Sequence, residues 1–428
     1  MQILVVGAGA REHALAWKLA RDPGVSRVHC SPGNAGIAAV ADLAAAGAGA
    51  PADFLALAEA IDAGLTVVGP EAALTDGIAD LFEARGRLLL GPSREAARLE
   101  SSKAFAKAFM ARHGVPTAAC EICDSVEAAH EVLRSARFGW PVVLKADGLA
   151  AGKGVIVAED PLAASLALRA LMVDRRFGPA GDRIVIEECM RGPEVSVFAL
   201  TDGRRAVILP TAQDHKRAYD GDQGPNTGGM GAFAPSPLVD EALLDRIRDT
   251  IVMPVVEGMR AEGREFRGFL YAGLMLTVDG PKVVEFNVRL GDPEAQVVVP
   301  MIDSELAPLL AAAAAGRLGQ DTCRVRDWPR VGVVLASGGY PDAFEKGKPI
   351  AGLESAESVP GVLVFHAGTA RREGQVVTSG GRVLTVVGEG QDFRQATSRA
   401  YEGASRIHFE GMRMRKDIGK KAILSREG

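Results

Sequence analysis

Two short segments combine residue types that can bind phosphate and metal. The first is Lys145-Ala146-Asp147-Gly148-Leu149-Ala150-Ala151-Gly152-Lys153-Gly154. Glycines let backbone N–H groups approach phosphate oxygens, and Lys153 adds a mobile positive charge. The segment is not a P-loop: Gly148 and Gly152 enclose three residues where that motif needs four, and Gly154 stands where Ser or Thr should meet the metal. A strand rather than a helix should follow it, so it reads as a loop between two strands that folds over a nucleotide as a lid. On its own it reads equally well as a Gly-rich hairpin with an exposed lysine. Lys145 weighs against that reading, because it closes the apolar run Val142-Val143-Leu144 and a lysine there needs a partner. A phosphate would supply one.

The second segment is Val284-Glu285-Phe286-Asn287-Val288-Arg289. Side chains alternate along a strand, which places Glu285, Asn287 and Arg289 on one face and Val284, Phe286 and Val288 on the other. A carboxylate and an amide oxygen two residues apart suit Mg²⁺, and an arginine beside them can neutralise a transferring phosphoryl group. Alternation alone describes any half-solvated strand. The acidic turn Leu290-Gly291-Asp292-Pro293-Glu294 directly after Arg289, together with the glycine loop, favours the metal reading.

These segments need elements to hold them. Ile3–Val6, Thr66–Val68 and Leu88–Leu90 are short apolar runs alternating with helices from about Glu12 to Ala20 and over Ala79–Ala84, a parallel sheet covered on both faces. A helical segment is expected from about Ser93 to Arg112. Strands follow at Pro141–Ala146, Gly154–Ala158 and Ile184–Glu188. Asp202-Gly203 and Asp279-Gly280 each stand between apolar runs, the signature of hairpins. The polar, Gly-rich stretch Thr211–Pro237 reads as a loop that closes over a ligand. From about Val331 a third, smaller unit begins, with strands at Val331–Ala336, Val362–His366 and Val383–Val387 and a helix from about Phe393 to Ile407. Leu306–Ala315 reads as a core helix.

Composition narrows the class. The chain has 428 residues, 47% hydrophobic and 24% charged, with a net charge of -5. That length calls for several domains, and the balance excludes global disorder. No basic run points to nucleic acid. No apolar run reaches the roughly 18 residues that would span a bilayer, and the first residues lack the pattern of a signal peptide. The 5 cysteines point to reduced thiols and a cytoplasmic setting. Cys120-Glu121-Ile122-Cys123 has no second pair to complete a zinc site and reads as two unrelated thiols. Gly7-x-Gly9 after the first strand resembles a dinucleotide fingerprint, but Glu12 occupies the third glycine's place and would repel a pyrophosphate. A sugar phosphate at that helix N-terminus is the preferred reading.

Longer motifs bind these pieces together: Val6-Gly7-Ala8-Gly9-Ala10-Arg11-Glu12-His13-Ala14, Pro32-Gly33-Asn34-Ala35-Gly36, Gly69-Pro70-Glu71-Ala72, Gln213-Asp214-His215-Lys216-Arg217, Gly224-Pro225-Asn226-Thr227-Gly228-Gly229-Met230-Gly231-Ala232, Glu285-Phe286-Asn287 and Arg415-Lys416-Asp417-Ile418-Gly419. Over essentially the whole chain the sequence resembles the phosphoribosylamine–glycine ligases of the ATP-grasp superfamily. Ala8 and Ala10 depart from it where the family usually carries Asn and Gly, and alanine at the second site would restrict the backbone if a positive φ were needed. Ser101 stands where members often have glycine.

The resemblance implies an ATP-grasp fold of α/β and α+β domains: an N-terminal parallel α/β domain at 1–98, an ATP-grasp domain at 99–325 with a lid at about 122–190, and a small C-terminal α+β domain at 326–428. It implies ATP phosphates held by Lys103, Lys145, Gly148, Gly152, Lys153, Gly154 and Lys216. Glu187, Glu188, Cys189 and Met190 would line the adenine, and Glu194 would meet the ribose. Mg²⁺ or Mn²⁺ would sit on Glu285 and Asn287. Glycine and 5-phosphoribosylamine would be held among Gly9, Arg11, Glu12, Asn34, Glu71, Asp214, His215, Arg289, Gly291 and Asp292, with Asp214, Lys216 and Arg289 closest to the chemistry. A monomeric cytoplasmic ligase working through an acyl phosphate is expected. Another ATP-grasp ligase or carboxylase, and a catalytically silent ATP-binding regulator, are the alternatives.

Overall fold

The computed structural model describes residues 1–149, 154–319 and 323–425. Five parallel strands form the first sheet, in the order Asp42–Leu43, Arg27–Pro32, Gln2–Gly7, Leu65–Val68, Leu89–Leu90. Its central strand is apolar on both faces, as a doubly covered parallel sheet requires. Ile3 and Val5 pack with the helix Ala10–Leu19, whereas Leu4 and Val6 pack with Phe54, Leu55 and Phe82 of the helices Pro51–Ala60 and Ile78–Ala84. Neither Ala8 nor Ala10 has a positive φ, and Ala10 is the first residue of its helix, so alanine carries no torsional cost there.

The helix expected from Ser93 to Arg112 is divided. Arg98–Ser101 and Lys103–His113 are separate helices because Ser102 takes an extended conformation and caps the second, its Oγ accepting the N–H of Phe105 at 3.1 Å. The cap places Lys103 in the first turn and Lys107 one turn further along. Two antiparallel four-stranded sheets follow. One is ordered Cys120–Cys123, Ile184–Glu188, Val142–Ala146, Val155–Ala158. It has a core of its own with the helices Val126–Ser135 and Pro161–Leu168. The other runs Ala206–Ile208, Glu194–Asp202, Arg267–Thr277, Gly280–Asn287 and contains both expected hairpins.

The last large sheet is ordered Gln213–Asp214, Gly231–Ala234, Arg330–Ala336, Arg382–Glu389, Val362–His366, with the helix Phe393–Arg406 against it. Its first two strands come from the stretch Thr211–Pro237. That stretch is therefore not the plain loop expected: it also carries the hairpin Arg217–Tyr219 with Gln223–Asn226. Short strands broken by glycine and proline lack the alternation by which a strand is recognised, and Gly231–Ala234 joins the sheet through a strand about a hundred residues away. The helix Leu306–Ala314 is buried, as expected, beneath the strands of the middle and first sheets.

Candidate active site

The hairpin Val142–Ala146/Val155–Ala158 ends where the glycine loop begins, and Ala146 N–H donates to the carbonyl of Gly154 at 2.8 Å. Gly148, at φ +151, directs its carbonyl to Lys103 Nζ at 2.8 Å. Gly152 and Lys153 lie outside the described residues. Lys145 is buried, but its partner is Glu187 on the adjacent strand, two positions along from its register neighbour Val185. The same carboxylate also pairs with Lys107. Two lysines and one glutamate thus share a pocket in which no side chain is more than 7% exposed. Lys145 does not need a phosphate to justify its burial, and the Glu187 side chain turns inward to hold the two lysines. Glu188 accepts the N–H of Ala119 at 3.0 Å, and Cys189 and Met190 follow half-buried at the strand's end.

Lys145 Nζ also donates to the carbonyl of Val284 at 3.1 Å, next to Glu285. The lid hairpin and the Glu285 strand therefore meet. The pairing of that strand slips between Gly273↔Glu285 and Leu274↔Val283, which leaves Val284 as the extra residue of a bulge. The expected apolar face consequently begins at Phe286 and Val288, both buried, and Val284 is not part of it. Glu285, Asn287 and Arg289 remain together on the other face. The side chains of Glu285 and Asn287 make no hydrogen bond among the described residues, and the negative charge of Glu285 acts on Lys103, Lys216 and Arg289. Arg289 is gripped by Glu71 at 3.2 Å and Glu100 at 2.9 Å. Burial pulls its pKa down, and the two carboxylates more than reverse that.

On the same sheet as Glu285, two strands away, Glu194 pairs with Lys216 at 2.5 Å, and Lys216 lies 3.8 Å from Asp214. Burial and the charges of Glu294, Glu194 and Glu285 weaken Asp214 as an acid against the pull of Lys216. Burial works against the Lys216 ammonium, but Asp214 and Glu194 keep it charged. His215, expected to touch substrate, is turned the other way by strand alternation: it is 1% exposed and packs edge-on against Phe233.

The first loop is built around Glu12. Its carboxylate takes Arg11 Nε at 2.6 Å and the N–H of Gly9 at 2.5 Å, and Arg11 Nη1 donates to the carbonyl of Leu290 at 3.1 Å. A Cβ on Gly69 would fall 1.8 Å from Glu12 Oε1. The glycines of this edge admit a carboxylate of the chain itself, so the phosphate expected at the Gly9 amide finds that donor already used. Asn34 spends its amide on Ala8 O, His366 O and the N–H groups of Gly36 and Ile37, which ties the loop to the C-terminal sheet. Gly291 leaves room for Glu294, whose Oε2 would lie 2.5 Å from a Cβ there.

A lid hairpin whose lysine touches a Glu-x-Asn strand, with the parallel domain's first loop alongside, is the arrangement of ATP-grasp ligases. Residues 1–100, 101–295 and 330–421 match the N, ATP-grasp (A) and C domains of phosphoribosylglycinamide synthetase. The chain belongs to this family. It is 50% identical over 428 residues to the phosphoribosylamine–glycine ligase of Caulobacter vibrioides, covering 100% of this chain and 99% of that one. It is 48% identical over 434 residues to that of Pseudomonas aeruginosa, with 100% of both covered. The crystal structure of the Thermotoga maritima phosphoribosylamine–glycine ligase superposes with a TM-score of 0.86 at 36% identity, covering 97% of this chain and 100% of that one.

Several residues of this synthetase-family site were not singled out from the sequence. Lys107 shares Glu187, and its spacing of four from Lys103 on one helix was the available signal. Glu100 holds Arg289, and its Oε2 also accepts the N–H of Val288 at 2.7 Å. Glu294 accepts from Ser196, which bonds to Tyr271, 3.1 Å in each case. Nothing local marks Ser196 or Tyr271, because each sits in an apolar strand.

Proposed function

We infer that the chain joins glycine to 5-phosphoribosylamine at the expense of ATP, and that it does so in the cleft between the lid hairpin and the Glu285–Asn287 strand. The observation that carries this reading is Lys145, which spans the two: its ammonium is bound to Glu187 on the lid and to Val284 O beside Glu285. A carboxylate resists amines because its oxygen is a poor leaving group. A glycine carboxylate oxygen attacks the γ-phosphorus of ATP, ADP leaves, and glycyl phosphate forms. The amine of phosphoribosylamine then attacks the acyl carbon and phosphate departs with that oxygen.

In this reading Lys103, Lys145 and Lys216 would neutralise the phosphates, and their own partners Gly148, Glu187 and Glu194 hold them in place. Glu285 and Asn287 offer the hard oxygen donors that Mg²⁺ or Mn²⁺ takes, and the ion would draw charge from the phosphate oxygens. Arg289, fixed by Glu71 and Glu100, would lie beside the acyl phosphate. No side-chain nucleophile is needed, and positioning with charge neutralisation supplies the rate, as in other phosphoryl transfers. Lid closure would exclude water from the acyl phosphate.

Turnover with glycine labelled by ¹⁸O in its carboxyl group tests the route. One label is expected in the phosphate released, with ADP formation requiring glycine. Unlabelled phosphate would eliminate the acyl phosphate, and ADP formation with a different acid and amine but not this pair would eliminate the substrates.

A further inference from the structure

Arg382 opens the strand Arg382–Glu389 of the C-terminal sheet, yet its side chain leaves that sheet and reaches two segments of the cleft. Nη1 donates to the carbonyls of Gly228 at 2.5 Å and Asp292 at 2.7 Å and lies 3.4 Å from Asp292 Oδ1. We propose that Arg382 is a positioning residue for phosphoribosylamine, acting through Asp292 and the Gly228–Gly229 turn; this rests on the ligase reading above.

Among the described residues no backbone hydrogen bond joins that turn to the Gly291–Glu294 segment, so the guanidinium is the polar link between them. The two pack too closely for any side chain. A Cβ on Gly229, which has φ +109, would lie 2.3 Å from Pro293 Cδ, and one on Gly228 would lie 3.1 Å from Arg382 Cζ. Tyr340, from the same C-terminal unit, accepts the N–H of Gly228 at 2.9 Å.

The consequence falls on Asp292. Gln296 Nε2 donates to its Oδ1 at 2.7 Å, the oxygen nearest Arg382. Oδ2 is turned to the first loop, 3.5 Å from where a Cβ on Gly9 would be, and has no donor among the described residues. Burial opposes ionisation of this carboxyl, but Arg382, Arg11, Gln296 and Arg289 overcome it and hold its pKa below the ordinary value. An ionised oxygen aimed at that loop is an acceptor for a hydroxyl or amine of a sugar phosphate. Arg382 fixes its direction and its charge.

Steady-state kinetics of Arg382→Ala and Arg382→Lys, each checked for an unchanged melting temperature, test the proposal. Phosphoribosylamine is generated in the assay from ribose 5-phosphate and ammonia. In Arg382→Ala the KM for phosphoribosylamine should rise about 10- to 100-fold, the worth of one charge-assisted hydrogen bond. The KM values for ATP and glycine should stay within about twofold, a difference too small to represent a lost hydrogen bond. The acid limb of kcat/KM for phosphoribosylamine should move to higher pH as Asp292 loses its cation, and Arg382→Lys should recover part of both effects. Should Arg382→Ala not fold, Arg382→Gln, which keeps an N–H but no charge, carries the same comparison. An unchanged KM for phosphoribosylamine, an equal loss for all three substrates, or an unmoved acid limb overturns the assignment. Failure of the unaltered protein to consume glycine with phosphoribosylamine would instead defeat the ligase reading, and so separates the two.

Discussion

Lys107, Glu187 and Lys145 form a buried set with one more positive charge than negative. Removing a partner from such a set is more informative than removing the set. Glu187→Leu leaves two ammonium groups buried without a counter-charge and should cost about 3–5 kcal/mol, because an uncompensated buried ion loses its hydration for nothing. Lys145→Met leaves Lys107 paired with Glu187 and should cost much less stability while raising the KM for ATP. Urea unfolding of both variants with nucleotide titrations checks this; equal losses of stability would mean that Glu187 does not bind the two lysines together. At this scale the residue types were legible and the partners were not. The sequence marks Lys145 as needing an anion, and the choice between a phosphate and Glu187 depends on a strand about forty residues away.

At the scale of elements, the first strand, its helix and the glycine edge act as one unit around Glu12. Gly69→Ala would drive a methyl group into a carboxylate already fixed by Arg11 and the Gly9 amide. A destabilisation of about 1–3 kcal/mol is expected, as for other overpacked sites. In a Glu12→Ala background the same change should cost little, because the clashing oxygen is gone. Thermal unfolding of the two single variants and the double variant decides it, and additive losses would show that the glycine serves some other purpose. The parallel strands, the two Asp-Gly hairpins and the C-terminal helix could be read from periodicity, since each is a sustained pattern between turn residues. The break at Ser102 and the bulge at Val284 could not, because a cap and a register slip each depend on a partner outside the local window. Both matter: one sets the direction of Lys103, the other supplies the carbonyl that Lys145 meets. The strands and helices of residues 120–188 pack on a core of their own, separate from that of the Glu285 strand.

At the scale of the whole molecule, a buried histidine pair ties the first helix to the C-terminal sheet. His13 Nδ1, on the first helix, accepts the N–H of His366 on the C-terminal sheet at 2.8 Å. Burial, with His366 and Arg21 nearby, lowers the pKa of His13 to about 3. Burial, with Arg371, lowers that of His366 to about 4, and burial, with Arg415 and Lys421, does the same for His215. The folded protein therefore keeps all three neutral while the unfolded chain takes up protons below about pH 6.5, the ordinary histidine value. The histidine contribution should be fully present above that pH and be lost as pH drops from 6.5 toward 4, with a slope approaching about 4 kcal/mol per pH unit, of which Asp214, raised to about 7 chiefly by burial, offsets about a third over the same window. Urea unfolding between pH 8 and 5 measures it, and His215→Gln should remove about a third of the histidine contribution. A stability independent of pH across that window would contradict the burial of these rings.

What the sequence determined by itself was the chemistry and the fold type: a glycine loop with lysines, a Glu-x-Asn-x-Arg face, a parallel domain followed by antiparallel sheets, and motifs long enough to place the chain in a family. Those are properties of residue type and short-range spacing, and a strand or hairpin expresses them locally. Tertiary structure alone decided which charge neutralises which, that His215 faces the core between two residues that face the cleft, and that strands from 213–234 complete the C-terminal sheet and bring Arg382 to Asp292. Those outcomes depend on contacts between residues tens to hundreds of positions apart, where burial and geometry outweigh anything a neighbouring residue can dictate.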